Sequence, residues 1–115
     1  MTMLTIRDVE PLNKKQYLLR LSDGQEMRLS INAMFSAHVM QAEQEIAGVD
    51  FSPLSSLNNL ELQPVYRVAD YRMSAKLSPA LAQELLDVMT GVYASYTGGR
   101  VRPFRLHSRS VTDVT

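Results

Sequence analysis

Imidazoles, carboxylates and hydroxyls are the groups from which this chain could build a reactive centre, and they are thinly spread. His38 and His107 are the only histidines in 115 residues, and there is no Cys. A metal centre or an acid-base site needs several such groups converging in space. On a helix His38 would follow Met34 and Phe35 by one turn, with Glu45 two turns on, a spacing open to a metal ligand. A partly buried, hydrogen-bonded imidazole is the better reading there, and His107 reads as a solvated residue of a basic tail. Glu43 and Glu45 would diverge on a helix, and Asp70 and Asp87 are isolated, so no pair of carboxylates is set across a cleft. The serines include no Gly-x-Ser-x-Gly elbow, and Gly98-Gly99 follows a helix where a phosphate loop would precede one. No catalytic, cofactor or metal residue is therefore assigned, and the expectation is a protein that is not an enzyme.

Charge is more informative in its distribution than in its sum. Twelve Lys and Arg balance twelve Asp and Glu, for a net charge of zero, so no broad field attracts nucleic acid or an anionic membrane. From Leu29 to Tyr66 there is no Lys or Arg, whereas Arg100, Arg102, Arg105 and Arg109 are joined only by His107 and no acid. Two readings follow for this segment. Either the arginines hold phosphates of RNA or DNA with Phe104 stacked on a base, or they form a basic edge strand that deters aggregation and pairs with acids. Seven Met suit a core or an adaptable contact surface. Met89, Tyr93 and Tyr96 are the candidates for a patch that binds a protein partner.

The elements that must position these residues begin with a strand from Met3 to Val9, stopped before Glu10-Pro11. Gln16 to Leu21 and Gln25 to Ser30 flank Ser22-Asp23-Gly24. A two-residue Asp-Gly loop would set Leu19 opposite Arg28. A three-residue loop with Gly24 left-handed sets Tyr17 opposite Leu29, Leu19 opposite Met27 and Arg20 opposite Glu26, so both faces agree. Ser30 can cap a helix in which Ile31, Met34, Phe35, His38, Ala42 and Ile46 recur at helical spacing up to Gly48, or end sooner near Met40. Residues 50–59 read as a loop anchored by Phe51, Leu54 and Leu57, and residues 60–73 as one or two short strands divided or edged by Pro64. Ser78 caps a second helix with Pro79 at its first position. Its apolar face comprises Leu81, Leu85, Val88, Met89, Val92 and Tyr96, and Gly98-Gly99 ends it. Arg100 to Leu106 can add a strand, and residues 107–115 read as a flexible tail.

Three short motifs resemble a known family. Val9-Glu10-Pro11-Leu12, the Tyr17-Leu18-Leu19 strand running into Asp23-Gly24, and Phe51-Ser52-Pro53-Leu54 followed by Leu77-Ser78-Pro79 are similar to the DUF2442 family of small bacterial domains of unknown function, over about residues 4 to 86. Tyr71-Arg72-Met73-Ser74-Ala75-Lys76 stands where that family tends to carry a Trp-Pro stretch. The long second helix and the Arg-rich end also exceed its pattern. The resemblance implies a small α+β domain, in some members joined to a DNA-binding unit, and it supplies no catalytic residues.

With 45% hydrophobic and 21% charged residues and no apolar run long enough for a membrane span, the chain reads as one soluble cytoplasmic domain over residues 1–106. The expected fold is α+β: a small antiparallel sheet with an N-terminal three-strand meander packed against one long C-terminal helix, and a shorter helix after the hairpin. Its expected core comprises Ile6, Tyr17, Leu19, Leu29, Phe35, Val68, Leu81, Leu85 and Val92. The expected function is a non-enzymatic interaction domain acting through protein contacts, including contacts with its own copy as a homodimer. The alternative is a nucleic-acid-binding regulator using Arg100 to Arg109.

Overall fold

The computed structural model describes residues 4–32, 35–54 and 64–106. The first hairpin, β2 (Gln16–Leu21) with β3 (Glu26–Asn32), pairs Tyr17 with Leu29, Leu19 with Met27 and Arg20 with Glu26. This is the register in which both faces agree. Gly24 has φ 94° and closes the turn by donating its N–H to the Leu21 carbonyl at 3.0 Å. The strand before it, β1 (Ile6–Pro11), runs past the point where Pro11 was expected to stop it. It is an outer strand, so the missing proline N–H costs little there.

The helix expected from Ile31 to Ile46 is absent. The segment instead completes β3 and forms β4 (Ser36–Gln41) and β5 (Gln44–Pro53). Ala37 and Val39 are buried on one face while His38 and Met40 take the other, so a period of two prevails where spacing suggested one near 3.6. Ala42 and Glu43, with φ 53° and 64°, form the two-residue turn between Gln41 and Gln44. Two left-handed residues fit the twist of a tight hairpin. Without the usual Asn-Gly they leave no signal in the sequence. Gly48 lies inside β5 and ends nothing.

Strand β6 (Val65–Met73) pairs antiparallel with β5. The chain then crosses through α1 (Pro79–Thr97) to β7 (Arg100–Val101), which lies parallel to β6. Among the described residues seven strands thus stand in sequence order in a curled half-barrel sheet with one helix, not a three-strand meander with two. Register shifts in the β1–β2, β4–β5 and β5–β6 pairs add local twist, which helps the sheet curl. Ser78 caps α1 by accepting the Leu81 N–H at 3.1 Å, and Gly98 ends it at φ 74°.

One face of the sheet and one face of α1 make the core. Leu19, Leu29, Val39 and Val49 from the strands meet Leu85, Leu86 and Met89 from the helix, all fully buried. The expected face is rotated: Ala82, Leu86 and Tyr93 are buried, while Val88 and Val92 are only partly so. Phe35, expected in the core, is 44% exposed. It stands at φ 69° beside β4 instead of on a helix face. Among the described residues no helix is long and apolar enough to cross a membrane.

Candidate functional site

The face of the sheet away from α1 carries a polar network around His38. Pairing registers align Ser30, His38, Gly48 and Arg72 across β3, β4, β5 and β6. Because β4 alternates, Ser36 shares the face of His38. The imidazole lies with Nδ1 2.6 Å from Glu45 Oε2 and Nε2 3.2 Å from Ser36 Oγ. Arg72 spans the neighbouring strand, donating to Glu45 at 3.4 Å and to Asp50 at 3.2 Å. Gly48 leaves room for this crossing, since a Cβ there would come within 2.5 Å of both Arg72 Nη2 and Glu45 Oε2. The His38 hydrogen bond, supported by Arg72, holds the Glu45 carboxyl below its ordinary range, although burial pushes it the other way.

Hydroxyl, imidazole and carboxylate in this order form the series that activates a serine nucleophile. The partly buried, hydrogen-bonded His38 expected from the sequence is found, with Glu45 and Ser36 as its partners; the signal missed was the two-residue spacing of Ser36 and His38 on a strand. Space is the difficulty for catalysis. Ser36 is only 8% exposed, and neither of two surface cavities, of about 660 and 420 Å³, is lined by Ser36 or His38. Among the described residues no three His, Cys, Asp or Glu gather to hold a metal ion.

The 420 Å³ cavity is a groove between the open edge of β1 and α1, lined by Ile6, Val9 and Val88 with Asp8, Glu84 and Asp87. The Ile6 N–H, on the side of β1 away from β2, donates to Glu84 Oε1 at 2.8 Å. Val9 and Leu12 are 36% and 43% exposed at this edge.

The opposite edge is basic. Gly99 lets the chain turn tightly out of α1, because a Cβ there would overlap the Pro64 carbonyl, which accepts the Arg100 N–H at 3.0 Å. That bond seats β7 on β6 with Val101 beside Tyr66. Arg100, Arg102 and Arg105 are exposed, whereas Val101, Phe104 and Leu106 are partly buried against the core. Arg67, which the sequence reading passed over, is exposed next to Tyr66 on β6 and joins them. Phe104 lies 5.6 Å from Tyr71, ring to ring, and its carbonyl and the Leu106 N–H are held by Gln83. It packs inward. His107 and Arg109 lie outside the described residues.

Of the three residues singled out for a protein partner, Met89 is fully buried, Tyr93 is 3% exposed and Tyr96 is 37% exposed. Tyr93 stacks on Phe51 at 4.1 Å and meets Tyr66 edge-on at 5.2 Å. The first two serve this chain's own core. Comparison with protein-family models, curated proteins and solved structures found no match.

Proposed function

We propose that the protein is a non-catalytic interaction module that accepts an extended segment of a protein partner along β1. The observation that carries this reading is the groove beside an open strand edge. An added strand gains main-chain hydrogen bonds from β1 and apolar contact with Ile6, Val9 and Val88. Asp8 is held by Arg20 at 2.8 Å, and the other acids of the lining, Glu84 and Asp87, still outnumber Arg7, so the segment that fits alternates apolar and basic residues.

A second copy fits this edge less well. Asp8 and Glu10 pair across from Arg20 and Leu18 on the open face of the sheet. A twofold antiparallel pairing of β1 with itself that keeps apolar side chains on one face sets Asp8 against Asp8 or against Glu10. Like charges opposite each other weaken such a pair.

The test is a fluorescent peptide alternating Val and Lys, titrated by anisotropy, with amide shifts mapped by NMR and mass followed by light scattering. Shifts confined to β1 and the first half of α1, and a tenfold or greater loss on Val9→Lys, support the reading. Binding that ignores Val9→Lys overturns it, as does a dimer that survives that substitution.

A further inference from the structure

We infer that the basic edge formed by β6 and β7 is a second, independent site, which binds single-stranded nucleic acid. Four arginines carry it. Arg102, just past β7, donates its N–H to the carbonyl of Tyr66, the residue before Arg67, at 2.9 Å, Arg100 lies beside Val65, and Arg105 follows on the same exposed segment. Among the described residues no carboxylate comes within ion-pair distance of any of them. On the far side of the sheet, by contrast, Arg20 is clamped by Asp8 and Glu10 at 2.8 and 2.7 Å. A guanidinium with its own acid has little to offer an incoming anion; these four are uncommitted. All are Arg, whose planar fork matches phosphate in two-pronged fashion.

Aromatic side chains at the same end of the fold separate a nucleic acid from a plain polyanion. The end where β6 begins and α1 finishes brings together Phe51, Tyr66 and Tyr93, and Phe35 lies 6.4 Å from Tyr66, ring to ring. Phe35 is held out at φ 69° with 44% of its surface exposed, and Tyr96 is 37% exposed. A bulky residue in the left-handed region is strained, and such strain gathers at ligand clamps. Unpaired arginines along a strand edge with exposed rings at its end match the way single strands are held, phosphates on cations and bases on rings. Phe104 is not the stacking ring, since it faces Tyr71; Phe35 takes that role.

The site is tested on the full chain with labelled oligo(dT) and oligo(U), a duplex of equal length and a poly-Glu peptide. Four phosphate contacts on a single strand give a log-log salt slope of about 2.8, so affinity should fall about 50-fold between 50 and 200 mM salt. Arg100→Ala with Arg102→Ala should halve the slope and leave about a 7-fold fall. Phe35→Ala should weaken binding at fixed salt without changing the slope, and Arg28→Ala, an exposed arginine elsewhere on the sheet, should change neither. Unaltered melting temperatures show that the variants fold. Equal binding of poly-Glu or of the duplex overturns the assignment, as does a slope indifferent to Arg100 and Arg102. Failure here leaves the β1 groove standing, because the two sites share no residue.

Discussion

Tyr93 offers the sharpest test of the core, because its phenol reports burial in two independent ways. Its side chain is 3% exposed and stacked on Phe51, and burial, with smaller effects from Tyr66 and Tyr96, pushes its pKa from 10 up to about 12. Tyr93→Ala removes a large ring from a filled space and should cost about 3 kcal/mol or more. A double-mutant cycle with Phe51→Leu should show a coupling of about 0.5–1.5 kcal/mol for the stack. The alkaline limb is more specific. The folded protein keeps the proton that the unfolded chain loses, so stability is whole below pH 10 and falls as pH rises through the interval to about 12. Two pKa units correspond to about 2.7 kcal/mol, complete only above the folded value. Urea denaturation from pH 8 upward, comparing the wild type with Tyr93→Phe, isolates this contribution, because Phe has no proton to lose and other tyrosines and lysines cancel. The wild type should lose stability faster than Tyr93→Phe above pH 10. Parallel curves for Tyr93→Phe and the wild type would refute the burial of this ring, and with it the rotated face of α1.

Other expectations concern the turn, the network and the helix end. Replacing Ala42-Glu43 by Asn-Gly relieves two left-handed residues and should raise stability by about 1 kcal/mol or more in thermal or urea melts; a loss would contradict the left-handed geometry of this turn. The Glu45 carboxyl is held low by His38, so its contribution is present above about pH 4.3 and is lost as pH falls through the folded value. Acid titration of Glu45→Gln should therefore be flatter than that of the wild type, and an identical acid limb would disprove the pairing. Gly98→Ala forces a Cβ into a left-handed cap and should cost about 1 kcal/mol in urea unfolding. An unchanged midpoint would contradict that geometry.

Local chemistry determined the elements that one stretch of chain can specify unaided. The Ser22-Asp23-Gly24 turn fixed its own register, because only one loop length put Leu19 opposite Met27 and Arg20 opposite Glu26. Ser78, Pro79 and Gly98 fixed both ends of α1, because caps satisfy backbone groups within a few residues of themselves. Residues 31–46 were another matter. Their apolar spacing suits a helix, and β4 and β5 prevail because neighbouring strands satisfy their backbones and bury Ala37, Val39 and Val49 beneath α1. The candidate sites share that dependence. His38 and Glu45 meet only because a two-residue turn folds β5 back on β4, and Arg72 reaches Glu45 only because β6 pairs beyond and Gly48 leaves the space. Arg100 and Arg102 come beside Arg67 through a parallel pairing of β7 with Val65 and Tyr66 that a whole helix must first span. Sequence spelled out the contacts between residues close along the chain; pairing of distant strands, whose partners no local pattern names, decided which side chains met.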